Sequence, residues 1–160
     1  MSDLVIRPVR AEDDPELARI VREGMAEFGI CGDGPASDPE LASISAAYAP
    51  PESAYFVVER GGRVLGGGGI GPIEGQPDTI CELRKMYLVP EARGLGAGRR
   101  VLESCLQTAR EIGYEHCHLA TLVAMDRARR LYAGFGFRLL DHELPGSGHL
   151  GCDSWYTLEL

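Results

Sequence analysis

Apolar residues recur along this chain with two periods. Leu4 to Val9 alternates and predicts a strand, after which Asp13-Asp14-Pro15 opens a helix to about Phe28 with Leu17, Ile20, Val21 and Met25 on one face. The glycines, Pro35 and acidic residues of Gly29 to Pro39 read as a loop, and a short helix is predicted over about Asp38 to Tyr48. Ala54 to Glu59 and Arg63 to Ile70 flank Gly61-Gly62, a hairpin signal that makes them a second and third strand. Gly66 to Gly69 lies inside the third strand and predicts a bulge or a close approach to a neighbour. Ile80 to Val89 reads as a fourth strand, Arg99 to Ile112 as a helix ended by Gly113, and Glu115 to Leu122 as a fifth strand. Asp126 to Ala133 follows as a helix, then Phe137 to Glu143 and Ser154 to Leu160 as strands.

Composition narrows the class. A chain of 160 residues with 44% hydrophobic residues can bury a core and is short for two ordinary domains, so one domain over 1–160 is expected. It has no run of about 18 apolar residues and no basic-plus-apolar start, which predicts a cytoplasmic protein without a membrane partner. The five cysteines, Cys31, Cys81, Cys105, Cys117 and Cys152, are odd in number and never spaced Cys-x-x-Cys, so reduced thiols are expected. A formal charge of −8 argues against nucleic acid and mildly favours cationic partners. In His116-Cys117-His118 a strand turns Cys117 away from the two histidines, so at most two ligands converge and no metal is expected.

Between the fourth strand and the following helix stands Arg93-Gly94-Leu95-Gly96-Ala97-Gly98. A turn feeding a helix N-terminus offers unpaired N–H groups and the positive end of the dipole, and glycines let phosphate oxygens approach the backbone. No Gly-Lys-Ser/Thr follows and Arg99 stands where a third Rossmann glycine would, so a pyrophosphate-like group fits better than a triphosphate or dinucleotide. Glycines alone leave a ligand-free connection equally open.

The context resembles the GCN5-related N-acetyltransferase superfamily. Arg93 to Gly98 matches its Arg/Gln-x-x-Gly-x-Gly/Ala signature, Lys85-Met86-Tyr87-Leu88-Val89-Pro90 looks like its fourth strand, and Ala128 to Phe137 looks like its Ala-x-x-Leu-Tyr-x-x-x-Gly-Phe motif. The resemblance implies an α/β fold of α+β type: a mixed, mostly antiparallel, splayed sheet of six to seven strands flanked by about four helices. It implies acetyl-CoA as co-substrate, held at its pyrophosphate by the backbone of Arg93, Gly94, Leu95, Gly96, Ala97 and Gly98, with Arg99 or Arg100 reaching other phosphate oxygens. Main-chain groups of Met86, Tyr87 and Leu88 would pair with the pantetheine arm. Tyr132 matches the tyrosine that donates a proton or hydrogen bond to the departing sulfur, and Glu82 stands where several members place a general base, on one strand face with Arg84, Met86 and Leu88. The superfamily's frequent Asn three residues before Ala128 is Met125 here.

The segment Gly146 to Trp155 gathers His149, Cys152, Asp153 and Trp155 in a loop that overlooks the acceptor site in this fold, which makes His149 an alternative base. The expected activity is direct attack of a primary amine of a small molecule, amino acid or peptide on the thioester of acetyl-CoA. Glu82 or a water it positions would take the proton, and Tyr132 would assist the leaving group. The competing class is a non-catalytic acetyl-CoA sensor. A homodimer through edge pairing or strand exchange is compatible with either.

Overall fold

The computed structural model describes residues 3–28, 38–121, 125–146 and 152–160. Seven strands form one sheet: β1 (Val5–Pro8), β2 (Ala54–Arg60), β3 (Arg63–Pro72), β4 (Ile80–Leu88), β5 (His116–Thr121), β6 (Arg138–Leu140) and β7 (Ser154–Glu159), in the order β1-β2-β3-β4-β5-β7-β6. Every pair is antiparallel except β4 with β5. That parallel pairing covers only Ile80–Glu82 against His116–His118, so the two strands part company beyond Glu82 and His118. Among the described residues four α-helices accompany the sheet: α1 (Asp14–Phe28), α2 (Ile44–Ala47), α3 (Ala97–Ile112) and α4 (Asp126–Gly134). On one face the apolar stripe of α3, Val101, Leu102, Cys105, Leu106 and Ala109, packs with Ile70, Cys81, Leu83 and Leu119. On the other, Leu17, Val21 and Met25 of α1 pack with Ile44, Tyr48, Tyr55 and Val57. Each such leucine or isoleucine removed from water contributes about 1.5–3 kcal/mol.

The predicted helix over Asp38 to Tyr48 is broken in two. A 3-10 turn over Pro39–Ala42 precedes α2, and Ser43 between them is extended at φ −160° and caps α2 by accepting the Ala46 N–H. The break serves Asp14 at the start of α1, whose carboxylate accepts the Ser43 and Ser45 hydroxyls and the Ser45 N–H. The sixth strand is also shorter than predicted, pairing with β7 over Arg138–Leu140 alone. The thiols of Cys81, Cys105 and Cys117 are free and buried, but Cys152 is disulfide-bonded, which corrects the all-reduced expectation.

The glycine run of β3 explains the middle of the sheet. A Cβ on Gly69 would come 2.6 Å from the Tyr55 ring, and one on Gly67 would come 2.7 Å from it and 2.3 Å from the Phe56 carbonyl oxygen. Tyr55 therefore lies across bare backbone and reaches over β3 to donate its hydroxyl to the Lys85 carbonyl at 2.8 Å. At that point β4 bulges: Gly69 faces Arg84 and Gly67 faces Tyr87, so Lys85 and Met86 together oppose Gly68. Lys85 takes up the extra residue in the left-handed region, at φ 54°. The bulge corrects the expected face-sharing along β4. Arg84 turns toward the side of α1 and α2, whereas Met86 and Leu88 turn toward α3 and pack beside Gly98.

Candidate active site

The parting of β4 from β5 opens a cavity lined by Leu83 to Tyr87 on one strand and Leu119 to Thr121 on the other, with Met25, Met125 and Tyr132 completing it among the described residues. A wedge between two parallel strands leaves one edge of β4 without a strand partner, so its N–H and C=O groups there face the opening. Met86 and Tyr87 thus lie at the edge expected for a pantetheine arm, with Leu88 following.

At the end of β4 the chain passes a 3-10 turn over Pro90–Ala92 and enters α3 through the glycine loop. Gly94 and Gly96 have φ of 80° and 81°, values at which a side chain is strained, and Gly96 is the N-cap of α3. A Cβ on Gly96 would meet nothing within 4 Å, so the loop borders open space. The 16-residue α3 directs its first N–H groups and positive dipole end into that space. Leu95 is exposed, while Ala97 is buried beneath the loop. A Cβ on Gly98 would make ordinary contacts with Leu131 and Met86.

The arginines are divided differently from expectation. Arg93 grips Glu27 near the C-terminus of α1 through two bonds of 2.6 and 2.7 Å and donates to the Leu88 carbonyl, so it fixes the loop from behind. Arg100 donates to the Leu4 carbonyl and is likewise structural. Arg99 stays near the loop, half exposed, with its guanidinium 5.1 Å from the Phe135 ring centroid. The sequence reading missed Arg127, whose Nη1 lies 3.2 Å from where a Cβ of Gly94 would sit. Its place in the first turn of a helix leading into the second motif was the available signal.

Tyr132 reaches the cavity from α4. Only 7% exposed, its ring packs against Phe137 and Tyr156 with centroids 5.8 and 6.3 Å away. Burial pushes its phenol well above the ordinary value of 10, so the hydroxyl keeps its proton at neutral pH. Tyr87 is pushed up to about 12, again chiefly by burial. Met125 lines the cavity and its sulfur accepts the Thr121 hydroxyl at 3.3 Å.

Glu82 is 1% exposed, and its Oε1 accepts the Arg84 Nε at 2.6 Å. It is not among the described lining residues, whereas Arg84 is. Beyond Arg84 the ion pairs continue: Glu40 lies 3.6 Å from Arg84 and 3.1 Å from the Lys85 amine, which also lies 3.0 Å from Asp38. The Tyr48 hydroxyl donates to Glu40 at 2.6 Å. Burial alone would raise the Glu40 carboxyl, but Lys85, Tyr48 and Arg84 outweigh it and hold the group below its ordinary 4.5. His118 faces Glu82 across the parallel pair, and burial lowers its imidazole below the ordinary 6.5 despite that carboxylate. His149 lies outside the described residues. Among the described residues no group of three or more His, Cys, Asp or Glu is placed to hold a metal, and no helix is long and apolar enough to cross a membrane.

Residues 19–137 match the profile of the Acetyltransferase (GNAT) family. The N-acetyltransferase YjgM of Escherichia coli K12 is 38% identical over 158 residues, covering 98% of this chain and 95% of that protein. Among solved structures, an acetyltransferase of the GNAT family from Staphylococcus aureus Mu50 superposes with a TM-score of 0.83 at 20% identity, covering 98% of each chain. YncA of Salmonella typhimurium, solved with its cofactor acetyl-CoA, superposes with a TM-score of 0.76 at 19% identity over 99% of this chain and 94% of its own.

Proposed function

Since this chain belongs to the GNAT family of acetyltransferases and is an acetyltransferase, we propose that it moves the acetyl group of acetyl-CoA to a primary amine of a small molecule, amino acid or peptide by direct attack. The observation that carries this reading is the wedge between β4 and β5, which opens a cavity lined by the edge of β4 and by Tyr132, with the glycine loop following the same strand into α3. YncA, of like fold and solved with acetyl-CoA, supports the choice of donor.

Bound acetyl-CoA would supply a thioester carbonyl open to an amine. The amides of Gly94 to Gly98 suit a pyrophosphate, with Arg127 beside Gly94 and Arg99 near the loop adding positive charge. The edge of β4 at Met86 to Leu88 suits the amides of the pantetheine arm, and an N–H there would polarise the thioester carbonyl. Tyr132, a phenol that lines the cavity and is protonated at neutral pH, is suited to donate a proton or hydrogen bond to the departing sulfur. Glu82 sits behind Arg84, which favours the second of its two candidate roles: a water held by Glu82 takes the proton from the acceptor's ammonium, and the free amine then attacks.

Thiol release from acetyl-CoA, measured across amino acids, polyamines, aminoglycosides and short peptides with product masses checked, tests the reading. A product about 42 mass units heavier, as acetyl replaces hydrogen, is the expected result. Tight CoA binding with no product from any amine would contradict it.

A further inference from the structure

The composition of the cavity wall is uneven in a way the rest of the chain is not. Met25, Met86 and Met125, every methionine after the first residue, line this one cavity. Lys85, the single lysine of the sequence, lines it too, beside Arg84. Around these two cations the described wall carries no carboxylate, in a protein whose formal charge is −8.

The charges divide between the cavity wall, which carries Arg84 and Lys85, and the neighbours that pair with them. Arg84 is engaged by Glu82, Glu40 and the Pro72 carbonyl. Lys85 gives two of its three N–H groups to Asp38 and Glu40, and the described residues offer no partner for the third. Three carboxylates against two cations leave the cluster one negative charge in excess, which favours an ammonium nearby. Arg84 and Lys85 themselves line the cavity and favour a carboxylate. A zwitterion meets both conditions. The three thioethers add an apolar, polarizable and easily reshaped lining, suited to unbranched, branched and aromatic side chains alike.

Building on the transferase reading above, we propose that the acceptor is an apolar α-amino acid with a free carboxylate. Its carboxylate docks on the third N–H of Lys85 and its side chain lies among Met25, Met86 and Met125. The amine nitrogen bonds to the acetyl carbon, the thioester C–S bond breaks, CoA leaves as the thiol, and the ammonium releases one net proton.

The test compares L-methionine, L-leucine and L-phenylalanine with their primary amides and with 2-phenylethylamine as acceptors for the full chain. In parallel, calorimetry measures N-acetyl-L-phenylalanine and its amide binding to the CoA-loaded protein. The free acids should exceed the amides in kcat/KM by at least about ten-fold, the size expected for one charge-assisted hydrogen bond. Lys85→Gln should bring that ratio toward one without changing CoA affinity, and Lys85→Arg should restore part of it. Amides or 2-phenylethylamine serving as well as the acids, or a ratio that survives Lys85→Gln, would overturn the proposal. If no amine is acetylated, the calorimetry decides: a Lys85-dependent preference for N-acetyl-L-phenylalanine over its amide upholds the ligand and removes the transfer reading, while equal or absent binding removes the ligand assignment itself.

Discussion

Tyr132 and Gly96 separate catalysis from binding at the scale of single residues. Tyr132 lines the cavity from a packed aromatic cluster, so Tyr132→Phe keeps the ring contacts and deletes one proton donor. We expect kcat to fall by about 10²-fold, the lower end for a positioned general acid, with CoA affinity unchanged in a calorimetric titration. Gly96 has left-handed backbone at the N-cap of α3 and faces open space. Gly96→Glu places a carboxylate where the cofactor's phosphates would lie and strains the turn by about 1–2 kcal/mol. Loss of CoA binding with a retained fold, followed by circular dichroism, is the expected outcome. Arg93 differs in kind, since its guanidinium is spent on Glu27 and the Leu88 carbonyl.

At the scale of elements, β3 and β4 decide where the site can be. Gly67 and Gly69 let Tyr55 lie across β3, Tyr55 holds the Lys85 carbonyl, and the bulge there turns Arg84 and Met86 to opposite faces. Tyr55→Phe removes the hydroxyl that satisfies the Lys85 carbonyl and should cost about 1–3 kcal/mol, read as a lower urea midpoint. Its activity should fall with it, because the bulge sets the edge of β4. The order and type of the elements were legible from hydrophobic period, and the glycine turn before α3 announced its own place. The glycines of β3 announced a close approach, but not that its consequence would fall on the next strand. Nothing in a Lys-Met pair signals a left-handed residue, so alternation along β4 misassigned the faces of Met86 and Leu88. The helix over Asp38 to Tyr48 failed for a similar reason: the serines that break it answer to Asp14, about thirty residues away, which no local pattern reports. The uses of Arg93, Arg100 and Arg127 were likewise set by partners distant in sequence.

The molecule as a whole is held by ion pairs that join its helices and short turns to the sheet. Arg7 on β1 grips Asp13 ahead of α1 through two bonds of 2.8 Å, and Lys85 with Arg84 holds Glu40 of the 3-10 turn before α2. Arg7 keeps Asp13 below its ordinary 3.8, and Lys85, Tyr48 and Arg84 keep Glu40 below 4.5 against the opposing effect of burial. Both carboxyls bind protons less readily folded than unfolded. Their stabilisation is therefore present above the ordinary values of 3.8 and 4.5 and is lost as pH falls through the lower folded values. Thermal midpoints followed from pH 7 to pH 3 should drop steeply at the acid end. Glu40→Gln should lower the midpoint at pH 7, by about 1–3 kcal/mol of stability, and flatten part of that acid slope. An unchanged slope would remove Glu40 from the set of groups that couple stability to pH.

Hydrogen exchange with and without acetyl-CoA tests most directly whether the wedge between β4 and β5 receives the donor. New protection confined to Met86–Leu88 and Gly94–Gly98, with β2 and the interior of α3 unchanged, is the expected result, and Gly96→Glu should lose it. Tight binding that protects neither segment would contradict it.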